Sequence, residues 1–124
     1  MKKLLTLVLF SLSFGLFAQS SPTRLTSSTF NKAINTGVVV VEFGAKFAQP
    51  FDGWRELTDC KYYRVDIEAS PELKDKYKIR TVPTIIVFNN GDKEAVFKAN
   101  IMLELEATPE DIQEEIDELL SGKF

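Results

Sequence analysis

Few side chains in this sequence could do chemistry, and they stand far apart. Cys60 is the single cysteine of the 124-residue chain, and there is no histidine. Histidine-based acid–base catalysis and the common His-containing metal sites are therefore excluded, and no intrachain disulfide can form. A lone thiol leaves two readings. It is a small core residue, or it is an exposed sulfur that pairs with a partner chain or exchanges with a small thiol. No helix-start motif and no histidine stands nearby to activate it. The other group of interest is the acid Glu42, which comes after Val38-Val39-Val40-Val41. Four β-branched residues in a row read as a central strand buried on both faces, so Glu42 is expected in or beside the core. No metal and no cofactor is expected.

That strand positions the loop at its end. Gly44-Ala45-Lys46 and then Phe47-Ala48-Gln49-Pro50-Phe51 leave its carboxyl end, where open α/β sheets bind ligands. Pro50 suits the first position of a helix, expected over 48–57 with Phe51, Trp54 and Leu57 on its apolar side and Trp54 as a core anchor. Upstream, 21–27 reads as a polar lead-in. Ser28 is a cap candidate for a first helix that stops at Gly37. Downstream, 62–67 alternates as a strand, and Ser70-Pro71-Glu72 opens a helix to about Tyr77. Ile85-Ile86-Val87-Phe88 is a buried strand, Asn90-Gly91 a hairpin turn, and 93–99 the returning strand. Thr108-Pro109-Glu110-Asp111 caps a last helix whose stripe is Ile112, Ile116, Leu119 and Leu120. The expected order is α, β, α, β, α, β, β, α, an α/β chain with a mixed sheet between helices.

The first residues have another purpose. Met1-Lys2-Lys3, an apolar stretch to Phe17 and the small or polar Ala18-Gln19-Ser20 form the pattern of a secretory signal peptide over 1–20. The stretch is too short for a membrane span, which takes about 20 apolar residues. The expectation is an exported protein, periplasmic or secreted, with one domain over 21–124 and no stable span after cleavage. Losing Lys2 and Lys3 moves the formal net charge from −3 to −5. With no basic cluster, nucleic acid is not an expected partner.

Three stretches in this order resemble the thioredoxin family: VVVVEFGAKFAQPF, RVDIEASPELKDKYKIRTVPT and PTIIVFNNG. Phe43, Ala45, Phe47 and Pro50 stand where the family has Phe, Ala, Trp and the proline of its Cys-Gly-Pro-Cys motif. The resemblance covers essentially all of 21–124 and implies a thioredoxin-like fold with a shortened second helix. It also places Ala48 and Phe51 at the two cysteine positions. Dithiol exchange needs one thiolate to attack and a second to resolve the mixed disulfide, and neither side chain can do so. The resemblance implies a domain without dithiol redox activity.

It further puts Pro83 at the family's cis-proline. Val82 would then present backbone groups to an extended peptide; alternatively, Pro83 only shapes its loop. Glu42 falls on the family's buried acid and Arg64 on a frequent buried lysine, which implies a Glu42–Arg64 pair. The segment 100–106 is longer than the family's turn, with Ala99 where a Gly normally flanks the groove. Alternation at Ile101, Leu103 and Leu105 suggests a continued strand whose edge over 101–105 accepts a partner or a second copy, or cover for core left open by the short helix. The expected partner is a protein or peptide bound at Phe47, Pro50, Val82 and Pro83. Thiol exchange through Cys60 and a self-associating structural module are the alternatives.

Overall fold

The valine run forms the middle of a five-stranded sheet. The structure, a computed structural model, describes residues 21–122; the expected signal peptide over 1–20 lies outside them. In chain order the elements are β1 (Thr23–Leu25), α1 (Ser27–Ile34), β2 (Val38–Gly44), a 3-10 turn (Asp52–Glu56), β3 (Lys61–Asp66), α2 (Pro71–Lys76), β4 (Thr84–Asn89), β5 (Asp92–Lys98) and α3 (Pro109–Leu120). The strands lie in the order β1-β3-β2-β4-β5. β1, β3 and β2 run parallel, while β4 is antiparallel to β2 and β5 to β4.

All seven residues of β2 are buried, because alternate side chains feed two separate cores. Val39, Val41 and Phe43 pack with Phe30 and Ile34 of α1 and Leu73 of α2 on one face. Val38 and Val40 meet Ile112, Ile116 and Leu119 of α3 on the other. Each such aliphatic or aromatic side chain contributes roughly 1.5–3 kcal/mol when taken fully out of water. On the first face the Phe30 ring lies 5.5 Å from Tyr77, 5.7 Å from Phe88 and 6.1 Å from Phe43.

The hairpin turn expected at Asn90-Gly91 is present, with φ of 51° and 91°. Asn90 also accepts a 2.7 Å bond from the Gly37 N–H through its side chain and donates its own N–H to the Gly37 carbonyl at 2.9 Å. In α3 the Thr108 hydroxyl accepts from the Asp111 N–H, and the Asp111 carboxylate accepts from the Thr108 N–H.

Four expectations are corrected. The polar lead-in contains β1, which pairs with β3 and buries Leu25; three residues are too few to carry a periodic signal. The cap of α1 is Thr26, not Ser28. The helix over 48–57 is only the 3-10 turn, capped by Phe51, so Pro50 precedes it. Gly53 and the positive φ of Asp59 suit a short tight turn better than an α-helix. Lastly, β5 stops at Lys98 and 101–105 is no strand. The Asn100 side-chain oxygen accepts from the Met102 and Glu104 N–H groups, folding the chain into a turn with Leu103 at φ 63°. Among the described residues no helix is long and apolar enough to cross a membrane.

Candidate functional site

The loop 45–51 leaves the carboxyl end of β2 directly above Glu42. Its first turn closes with the Ala48 N–H on the Ala45 carbonyl at 3.1 Å. The Glu42 side chain is 1% exposed and fully committed. One oxygen, Oε1, accepts from Arg64 Nη2 at 3.0 Å and from the Tyr62 hydroxyl at 2.8 Å. The other, Oε2, accepts from the backbone N–H of Phe51 at 3.1 Å. The buried acid thus ties the end of the loop to the sheet. These bonds offset the desolvation of the charge, which alone would cost several kcal/mol.

Register explains the grouping, since Glu42 is the cross-strand neighbour of Arg64 and Tyr62 stands two residues before it on the same face of β3. Sequence reasoning missed Tyr62; its spacing of two from Arg64 is the signal that points to it. The Trp54 ring stacks on Tyr62 with centroids 5.6 Å apart, and Arg55 covers the indole at 5.1 Å. Trp54 is therefore a half-buried clamp between the 3-10 turn and β3 and not a core anchor. Burial, and then the neighbouring Glu42 charge, pushes the Tyr62 hydroxyl far above its ordinary range, so it remains a donor.

The remaining candidates fall on both sides of the loop. Phe47 is 64% exposed. Ala48 packs on the α1 side of the sheet and Phe51 on the α3 side. Gln49, Pro50, Phe51, Asp52, Pro83, Leu103, Glu104 and Leu105 line an open groove of about 360 Å³ whose floor is apolar and whose edges carry two acids. The Val82–Pro83 peptide is cis. The Val82 side chain is buried, and neither its N–H nor its carbonyl bonds to another backbone group among the described residues. Ala99 donates its N–H to the Pro83 carbonyl and accepts at its own carbonyl from the Thr81 hydroxyl.

Cys60 lies apart from the loop, half-buried beside the α3 core. Burial first, then the charge of Asp59, pushes its thiol up to about 11. The structure thus brings Glu42 and Arg64 together beneath the loop and leaves the sulfur outside the group.

The thioredoxin family model matches residues 21–114. The chain belongs to the thioredoxin family. Thioredoxin from Staphylococcus epidermidis is 26% identical over 83 residues, covering 56% of this chain and 75% of that one. Chloroplastic thioredoxin M4 from Arabidopsis thaliana is 32% identical over 65 residues, 45% of this chain and only 34% of the relative's length. Among solved structures, a thioredoxin mutant from Halobacterium salinarum superposes with a TM-score of 0.64 at 19% identity, over 78% of this chain and 88% of that one. The thioredoxin of Plasmodium falciparum gives 0.61 at 21% identity, over 77% and 97%. These likenesses show the thioredoxin fold. Within it, this thioredoxin-family chain has one cysteine in all and no Cys-x-x-Cys motif.

Proposed function

We propose that this protein is an exported, redox-inactive binding module of the thioredoxin family. It holds an extended peptide or partly unfolded chain against Phe47, Pro50, Val82 and Pro83. The observation that carries the reading is the pairing of Ala48 and Phe51 with an otherwise kept site. The two positions that need thiols have a methyl group and a phenyl ring, while the apolar groove, the free backbone groups of Val82 and the exposed Phe47 remain. Exposed aromatic area and free backbone donors and acceptors suit recognition of an extended chain. The raised thiol of Cys60 weighs against the alternative of thiol exchange through that residue.

Fluorescence anisotropy with labelled, reduced and carboxymethylated α-lactalbumin tests the binding half. Saturable binding that weakens at least several-fold in Phe47→Ala supports it; absence of binding, or equal affinity in the variant, overturns it. Export rests on the pattern at Met1 to Ser20. N-terminal sequencing of protein recovered outside the cytoplasm should read from Gln19 or Ser21.

A second reading is favoured by Ile101 and Met102, which are 90% and 73% exposed at the tip of the 100–103 turn. An apolar tip of this kind suits contact between two copies. Light scattering after size-exclusion chromatography, on the protein and on Ile101→Lys with Met102→Lys, distinguishes this assembly from a monomeric binding module.

A further inference from the structure

A second recess opens on the opposite side of loop 45–51 from the groove. It holds about 200 Å³, and its walls carry Arg24, Lys46, Arg64, Glu42 and Asp66. That is space for about seven waters at roughly 30 Å³ each, well below the several hundred cubic ångströms of a drug-sized site. The recess lies on the face of the sheet that carries Glu42 and Arg64. Along β2, β3 and β1, Glu42, Arg64 and Arg24 are successive cross-strand neighbours that grade from buried through half-buried to exposed.

That row is electrostatically incomplete. Glu42 is engaged by Arg64, which neutralises both. Arg24 stands beside Arg64, whose charge Glu42 already meets, and so carries the unmatched charge of the row. Among the described residues, no carboxylate forms an ion pair with Arg24 or Lys46. Arg64 gives Nη2 to Glu42, and its buried Nε–H meets no acceptor. Against these cations the remaining wall charge is Asp66, whose Oδ1 already accepts from the Glu68 N–H.

We propose that this recess is a binding site for a singly charged carboxylate, seated between the Arg24 and Arg64 guanidinium groups with Lys46 at its mouth. Guanidinium geometry matches a carboxylate through paired N–H donors. The two acidic walls, Glu42 and Asp66, disfavour a dianion such as phosphate. The carboxylate belongs to a small free acid or to the C-terminus of a peptide, which present the same group. The site is separate from the apolar groove and does not depend on it.

The test is NMR titration of the intact protein, following the arginine Nε–Hε resonances at fixed ionic strength. The probes are propionate, inorganic phosphate, and acetyl-Ala-Ala with its C-terminus free or amidated. Saturable shifts of the Arg24 and Arg64 resonances with propionate are expected. They should weaken roughly tenfold or more in Arg24→Gln, the usual effect of losing one charge-assisted bond. Arg24 is exposed, so this variant keeps the fold and the Arg64 resonance remains a reporter. Tighter binding of the free peptide than of propionate, lost on amidation, assigns the carboxylate to a chain terminus; equal binding of the two assigns it to a small acid. No saturable shift, equal affinity in Arg24→Gln, or phosphate binding more tightly than propionate overturns the proposal.

Discussion

Glu42 is the residue on which the loop depends, and its role here is mechanical. Its oxygens hold Arg64, Tyr62 and the Phe51 N–H, and no thiol stands above it to receive a proton. Glu42→Gln keeps the shape but leaves Arg64 without its counter-charge. The expected loss is about 2–3 kcal/mol in urea unfolding, discounted from the cost at a fully buried pair because Arg64 stays partly in water; unchanged stability would sink this role. Cys60 gives a prediction at the same scale. With its thiol pushed up to about 11, the thiolate fraction at pH 7 is roughly one in ten thousand. Native-state alkylation by iodoacetamide should run roughly a hundredfold slower than in urea. The unfolded chain releases this proton first, near its ordinary value of 9.0. The thiol's contribution to stability is therefore full below about pH 9 and is lost as pH rises through about 11. Tyr62, shifted in the same direction, adds to the alkaline loss. Denaturation midpoints that stay flat from pH 8 to 11 would contradict both shifts.

Among the elements, the 3-10 turn distinguishes this chain. A Cβ on Gly53 would come within 2.5 Å of Pro109 Cγ and 2.7 Å of Phe51 Cζ, so the turn lies against the start of α3 with no room to spare. Gln113 reinforces the contact, donating to the Thr58 carbonyl and accepting from the Thr58 N–H. Gly53→Ala should cost about 1–3 kcal/mol, as overpacking does, and should lower the Trp54 fluorescence contribution from its stack on Tyr62. A variant as stable as the parent would mean that the turn shifts freely. The hairpin offers a control away from the site. Gly91 has φ of 91°, and an added Cβ would meet only Asn35 Oδ1, at an ordinary 4.0 Å, so Gly91→Ala should lose about 1–3 kcal/mol chiefly through backbone strain, with the Trp54 signal unchanged.

For the whole molecule, the absence of paired thiols predicts no insulin reduction above a no-protein control in the presence of a reductant. Turnover would require a route through Cys60, and Cys60→Ser would reveal it by abolishing the rate. The fold distributes its stability over two cores that share β2, with no disulfide available from one cysteine. Its loop and groove consequently depend on packing and on the Glu42 bonds for their shape.

Much of this architecture was legible in the chain. The valine run, the Asn90-Gly91 turn and the Thr108-Pro109 cap depend on near neighbours, and local spacing encodes them. That the chain has one cysteine and no Cys-x-x-Cys motif is a matter of residue identity and needs no coordinates. The 3-10 turn was not legible: Phe51, Trp54 and Leu57 pointed to a helix over 48–57, whereas only Asp52–Glu56 is helical and Phe51 and Leu57 are its extended flanks. Other features required the folded chain. Alternation at 101–105 suggested a strand, but Asn100 captures the N–H groups of Met102 and Glu104 and turns the chain instead. Tyr62 on Glu42, the three-residue β1, and the neighbouring Arg24 and Arg64 all join residues distant in sequence. Sheet register decides those contacts, and only the assembled tertiary structure fixes register.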